Sequence, residues 1–236
     1  MTPIQDVVEL YGLGLGLCFA HKNVIVEGTS DVGLFELAAK MELKATGNDL
    51  LGTQLAFIAS GERERGGTNG VIRQLITLRS IARTCLLPNG MPKYRFVGLF
   101  DNDYAGKQAS THANKIDSSM IEYKDFFRVH PVMPIPGNIL PEIIKRSFER
   151  ENVNFKKLDW EIEDYLPKSF IDAFADEYPK AISKTIEISG KIHRDFTTDG
   201  KVELHKFVKA HANYDDLNGI IDVIKAIRFY LNIKSS

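Results

Sequence analysis

The fold follows from NVIVEGTSD at residues 23–31 and from YRFVGLFDNDYAG at residues 94–106. Each segment begins with a short run of apolar residues, mostly β-branched or aromatic, which is typical of a strand buried in a parallel sheet. Each run ends in a turn with acidic residues, and a helical pattern comes next. Both segments therefore predict a strand, a turn and a helix in succession.

The same pattern occurs between these two segments. QLAFIAS at 54–60 reads as a strand, GERERGGTNG at 61–70 as a loop, and VIRQLITLRSIAR at 71–83 as an amphipathic helix. FFRVHPV at 126–132 predicts a fourth strand. Three strand–helix units in series favour an α/β fold: a Rossmann-like, mainly parallel sheet flanked by helices, with a helical C-terminal extension.

The remaining segments define the expected domain organisation. We expect a helical segment at 1–21, the main domain at 22–212 and a C-terminal helix at 213–236. That last helix is apolar around most of its circumference, so it is expected to be buried or to form a homodimer contact. TIEISGKIHRDF at 185–196 slightly favours strands at both ends. The glycines of LYGLGLGLCF at 10–19 do not fit a dinucleotide-binding motif and favour close backbone packing.

Composition sets limits on the class of protein. The chain has 236 residues, 44% of them hydrophobic, which allows a sizeable core. A net charge of −1 excludes a strongly basic coat for non-specific nucleic-acid binding. The two cysteines, Cys18 and Cys85, cannot form a disulfide framework and are expected to be buried and reduced. With no apolar run of membrane-spanning length and no signal-peptide pattern, we expect a cytoplasmic protein that does not contact the membrane.

Carboxylates follow two of the predicted strands. Glu27 ends the first strand, with Asp31 four residues later, and Asp101 and Asp103 follow the third. Ligands of open α/β sheets bind at the carboxyl ends of the strands, so these side chains converge if the strands are neighbours. Two carboxylates about 4 Å apart repel by roughly 4 kcal/mol at an effective dielectric near 20, and a divalent cation relieves that repulsion. The alternative is that Asp31 and Asp103 are helix caps.

These residues resemble a known family. VIVEGTSD and VGLFDNDYAG are similar to the two signature segments of the TOPRIM domain, which is the topoisomerase–primase fold that also occurs in OLD-family nucleases. GGTNG at 66–70, WEIEDYLP at 160–167 and GKVELHKFV at 200–208 resemble further segments of OLD-like domains. The resemblance covers roughly residues 22–212. It implies the nuclease part alone, because the chain contains no GxxxxGK[ST] loop for ATP and a partner ATPase of the ABC type would be a separate polypeptide.

The resemblance also implies a reaction and a set of residues. The reaction is phosphodiester hydrolysis with two Mg²⁺ or Mn²⁺ ions, which needs no nucleophilic side chain. Lys201 would match the lysine that stabilises charge on the phosphate, although it also fits a solvated lysine at the start of a helix. The metal ligands would be Glu27, Asp31, Asp101 and Asp103, with either Glu161 or Glu163 as a further ligand and Asp164 as a cap.

Arginines after the second strand are candidates for nucleic-acid contacts. Arg63 and Arg65 lie in the loop and Arg73 lies on the following helix, with Arg79 and Arg83 beyond it. They form either a phosphate-binding patch or a solvated face of mixed charge. Three functions are consistent with the sequence: a DNA endonuclease of an anti-phage or plasmid defence system, an RNA nuclease with the same metal site, and a non-catalytic regulatory domain that binds Mg²⁺.

Overall fold

The structure is a computed structural model that describes residues 6–61 and 66–234. The strands are β1 (Lys22–Val26), β2 (Leu55–Ala59), β3 (Arg95–Phe100), β4 (Phe126–Arg128), β5 (Ile182–Ile188) and β6 (Lys191–Phe196). The α-helices are α1 (Val7–Leu15), α2 (Thr29–Thr46), α3 (Gly67–Ala82), α4 (Tyr104–Ile116), α5 (Pro141–Glu151), α6 (Lys168–Glu177), α7 (Thr198–His211) and α8 (Asn218–Tyr230).

Four strands form one parallel sheet in the order β2-β1-β3-β4, flanked by helices. β1 pairs in parallel with both β2 and β3, in a register that sets Lys22 opposite Leu55 and Arg95. The α/β fold class is therefore confirmed. The fourth strand is shorter than predicted, because only Phe126–Arg128 of the expected 126–132 belongs to the sheet. Residues 129–132 lie outside the strand, and they include Pro131, which has no backbone N–H to donate to a sheet.

The chain divides into two compact units, and each is described by itself. The first unit comprises residues 1–32, 51–100 and 108–127. Its core joins the apolar faces of β1, β3 and α3, with Ile25, Leu75 and Phe96 each at most 3% exposed. Gly12 packs closely, since a Cβ there would lie 2.7 Å from Phe19, whereas Gly14 and Gly16 have open space around that position. Close packing is therefore confirmed at one of the three glycines.

The two cysteines differ in environment. Cys85 is buried in the core of the first unit, as expected, but Cys18 is exposed. The prediction that both are buried is wrong for Cys18, because that residue follows the end of α1 in an irregular stretch at the surface.

The second unit comprises residues 33–50, 101–107 and 128–236. β5 and β6 pair as an antiparallel hairpin, so the strands slightly favoured at 185–196 are confirmed. The two-residue turn of the hairpin, Ser189 and Gly190, has positive φ at both positions, as such tight hairpins require. Helix α5 was not predicted; it begins directly at Pro141, where a proline is tolerated because its missing N–H is not needed.

The C-terminal helix is buried within the second unit. α8 contains eight buried residues, which agrees with its apolar circumference. Among the residues that the structure describes, no helix is both long enough and apolar enough to cross a membrane.

Candidate functional site

Glu27 lies at the end of β1, within the first unit. Its backbone carbonyl accepts hydrogen bonds from the N–H of Gly67 at 3.1 Å and from Ser60 Oγ at 3.1 Å. Its Oε2 atom lies 3.9 Å from where a Cβ on Gly67 would be. Ser60, directly after β2, and Gly67, at the start of α3, therefore both lie against Glu27. Asp31 Oδ2 accepts a hydrogen bond from the N–H of Gly28 at 2.9 Å, so this carboxylate makes a local turn contact.

Asp101 and Asp103 lie in the tight turn that joins β3 to α4. Asp103 Oδ1 accepts a hydrogen bond from the N–H of Gly106 at 2.7 Å and so caps the start of α4. A Cβ on Gly106 would lie 1.8 Å from the carbonyl oxygen of Asp101, so only glycine fits at this position. Gly106 therefore allows the start of α4 to pack directly against the backbone of Asp101.

The acidic segment 160–166 packs against this turn, within the second unit. The N–H of Asn102 donates to the carbonyl of Trp160 at 2.8 Å, and the N–H of Ile162 donates to Asp101 Oδ1 at 3.2 Å. Residues Ile162–Tyr165 form a 3-10 helix whose first turn is closed by reciprocal bonds between Glu161 and Asp164. Trp160 is buried, as expected, and Asp164 is a cap, as predicted.

Lys201 joins the two glutamates of this segment. It lies in the first turn of α7, which Thr197 caps by accepting a hydrogen bond from the N–H of Gly200 at 3.0 Å. Its Nζ atom is 2.8 Å from Glu161 Oε2 and 3.8 Å from Glu163 Oε1. His205, one turn further along α7, places Nε2 3.3 Å from the same Glu163 oxygen.

We call Asp101, Glu161, Glu163 and Lys201 the carboxylate–lysine cluster. Burial alone would lower the pKa of Lys201, but the charges of Glu163, Glu161 and Asp101 outweigh it and raise that pKa. Burial raises the pKa of Glu161, and Lys201 opposes the shift. Burial would also raise the pKa of Glu163, but Lys201 and His205 overcome it, so the pKa of this carboxyl is lowered. Lys201 is therefore the cation that these carboxylates share.

The cluster can be tested for its fit to a metal ion. Three carboxylates face one lysine, and Glu163, only 2% exposed, has a buried Oε2 atom with no hydrogen-bond partner among the described residues. Hard divalent cations prefer such oxygen ligands, so the donor set fits Mg²⁺ or Mn²⁺. Within residues 6–61 and 66–234, however, no three His, Cys, Asp or Glu side chains are already grouped as an ion site. Glu163 offers a partnerless oxygen, whereas the Oε2 of Glu161 faces Lys201.

The predicted arginine patch is only partly described. Arg73 is exposed on α3 and lines a cavity in the first unit together with Gln74 and Thr77. Arg79 instead lies 3.5 Å from Asp117 and 3.3 Å from Asp125, so it has carboxylate partners within the protein. Arg63 and Arg65 lie outside the described residues.

Two histidines that lie near Lys201 in the sequence, and that could face a phosphate, contact the acidic segment. His193 on β6 pairs with Asp164, with Nδ1 2.7 Å from Oδ2, and His205 contacts Glu163. The sequence gives little indication of these contacts, since neither histidine is spaced from another one as paired metal ligands are. For His205 the spacing of four residues from Lys201 indicates the same face of α7.

Comparisons with protein-family models, curated proteins and solved structures gave no match to this chain.

Proposed function

We propose that the protein is a divalent-metal-dependent nuclease that hydrolyses phosphodiester bonds of DNA with two Mg²⁺ or Mn²⁺ ions. The carboxylate–lysine cluster supports this proposal most directly. Its carboxylates outnumber its lysine by three to one, and Glu163 Oε2 is buried without a partner among the described residues. Such an excess of negative charge at low exposure favours binding of a cation.

The proposal assigns a role to each residue from its surroundings. Asp101, Glu161 and Glu163 would hold the ions, with Lys201 beside them and 2.8 Å from Glu161. Glu27 and Asp103 enter the proposal from the resemblance to the TOPRIM signature segments, in which carboxylates follow the first and third strands. Asp31, which bonds to the N–H of Gly28, would need to leave that bond to act as a ligand.

The chain's own groups would prepare the site for phosphate. Two ions held by these carboxylates would supply an activated water and neutralise charge on the leaving oxygen. Lys201 would stabilise negative charge on the phosphate in the transition state. The contact from His205 holds Glu163 in place, and the N–H of Ile162 holds Asp101. Arg73 would contact the nucleic-acid backbone as an exposed cation. The resemblance to OLD-like nucleases adds a role in anti-phage or plasmid defence with a separate ATPase.

The proposal is tested by incubating the pure protein with Mg²⁺ or Mn²⁺ and plasmid DNA, single-stranded DNA or total RNA. We expect cleavage of DNA that EDTA abolishes. Glu27→Gln and Asp101→Asn should each lower the cleavage rate at least about 100-fold, because several kcal/mol of metal-borne stabilisation would be lost.

Asp176→Asn is the matched control, because Asp176 is an exposed carboxylate of α6 outside the cluster. This variant should cleave at the wild-type rate. Full activity of Asp101→Asn would refute the site, and cleavage of RNA alone would refute the assignment of DNA as the substrate.

A further inference from the structure

Another cavity lies within the second unit, lined in part by Trp160 and the residues that follow it. It has a volume of about 230 Å³, far above the roughly 10–15 Å³ that one water needs. We call it the Trp160 cavity. Besides Trp160, its lining includes Arg194 and Lys191 of β6, Asp164, and Lys168 at the start of α6.

Two donors of this cavity, the Arg194 guanidinium and the Trp160 indole N–H, have no hydrogen-bond acceptor within the described part of the chain. Arg194 is 5% exposed, and its guanidinium makes no hydrogen bond within the described part of the chain, although the charges of Asp164 and Asp172 act on it. Trp160 is 2% exposed, and its Nε1–H likewise has no acceptor among residues 6–61 and 66–234. A buried N–H normally has an acceptor, so the Trp160 N–H lacks a partner that an anion in the cavity would supply. The Arg194 guanidinium lines the same cavity as a cation that can bind that anion.

The charge at the cavity is positive. Asp164 is the only carboxylate among the described lining residues, and both of its oxygens already have hydrogen-bond partners. Oδ2 accepts from the N–H of Glu161 at 2.9 Å and lies 2.7 Å from His193 Nδ1, while Oδ1 accepts from the N–H of Arg194 at 3.0 Å. Lys168 is paired with Asp172. Arg194 and Lys191 are the other two cations of the lining. The Nζ of Lys191 lies 5.9 Å from the centre of the Trp160 ring.

We propose that the Trp160 cavity binds a phosphate group. A guanidinium, an ammonium and an indole N–H present more donors than the two oxygens of a carboxylate accept, whereas a phosphate offers three or more oxygens. The proposal does not depend on nuclease activity. It does place an anion site directly beside the segment that carries Glu161 and Glu163.

The experiment uses the full chain in EDTA, so that no metal contributes. Trp160 is the only tryptophan, so its fluorescence reports on the cavity alone. Titration with inorganic pyrophosphate at constant ionic strength should give a saturable change in emission. Arg194→Gln and Lys191→Gln should each weaken binding at least about tenfold, the effect of losing a charge-assisted hydrogen bond.

Arg146→Gln is the control, because Arg146 is an exposed arginine of α5 that does not line the cavity. It should bind pyrophosphate as the wild type does. Lys191 is only partly buried, so Lys191→Gln keeps the test valid if Arg194→Gln does not fold. A wild type that does not respond to pyrophosphate, or an equal response in the wild type and Lys191→Gln, would overturn the proposal.

Two competitors identify the source of the phosphate. Displacement of pyrophosphate by a mononucleotide but not by a short oligonucleotide would identify a small phosphorylated ligand. Displacement by the oligonucleotide, lost in Lys191→Gln, would identify the nucleic-acid backbone. Either result supports a phosphate site.

Discussion

At the scale of single residues, the buried pair of Asp164 and His193 links the acidic segment to the β5–β6 hairpin. Burial alone would lower the pKa of His193, but the hydrogen bond and charge of Asp164 outweigh it and raise that pKa to about 9. The ordinary value is 6.5. His193 is therefore protonated in the folded state at neutral pH and forms an ion pair with Asp164.

This pair predicts how stability depends on pH. Between pH 6.5 and about 9 the folded protein holds a proton on His193 that the unfolded chain releases. The free energy of unfolding should therefore fall as pH rises through that window, by on the order of 2 kcal/mol. Urea denaturation at pH 6.5 and pH 9 measures the difference.

The control for this prediction is His193→Gln, which cannot titrate. The variant should be less stable than the wild type at pH 6.5, and its stability should change less between the two pH values. An equal slope in the two proteins would show that other groups cause the pH dependence.

At the scale of elements, the turn between β3 and α4 depends on one glycine. The position of a Cβ on Gly106 would be 1.8 Å from the carbonyl oxygen of Asp101, a backbone atom that cannot move without shifting the end of β3. The requirement for a small residue after the acidic pair is therefore steric, and it ties α4 to the residue that carries the candidate carboxylate.

We expect Gly106→Ala to lower the free energy of unfolding by about 3 kcal/mol, the upper range for overpacking a closed site. Gly14→Ala is the matched control, because Gly14 is also helical and has nothing within 4 Å of its Cβ position. That change should raise stability by about 0.5–1 kcal/mol, since alanine favours a helix. Equal denaturation midpoints for Gly106→Ala and the wild type would contradict the steric argument.

At the scale of the whole molecule, metal binding should appear as a change in thermal stability. An ion that binds only the folded state stabilises it by about 1.4 kcal/mol at 10 mM metal if the Kd is about 1 mM. For a chain of this size the Tm should rise by about 3–6 °C. A thermal scan with and without Mg²⁺ or Mn²⁺ measures the shift.

Two variants test whether the shift in Tm comes from metal binding at the carboxylate–lysine cluster. Asp101→Asn should lose most of it, and Asp176→Asn, on the exposed face of α6, should keep it in full. A shift that survives in Asp101→Asn would mean that the ions bind elsewhere.

The sequence by itself determined the α/β class and the places where acidic residues follow strands. Strand identity is local information, because short β-branched runs between a turn and a helical pattern leave few alternatives. β1, β2 and β3 were therefore predicted closely, and so were Glu27 and Asp101 as the residues that follow β1 and β3. The cap at Asp164 was also predictable, because capping depends on residues within one turn.

Only the tertiary structure decided which residues far apart in the sequence form ion pairs, and which buried polar groups lack a hydrogen-bond partner. The approach of Lys201 to Glu161 spans 40 residues, and the pairing of His193 with Asp164 spans 29, so no local pattern reports either contact. The sequence also did not show that the Trp160 N–H has no acceptor among the described residues, because burial and hydrogen bonding depend on how the hairpin packs on the acidic segment. The sequence sets each element by local preference, whereas the packing between elements sets the electrostatics of the candidate sites.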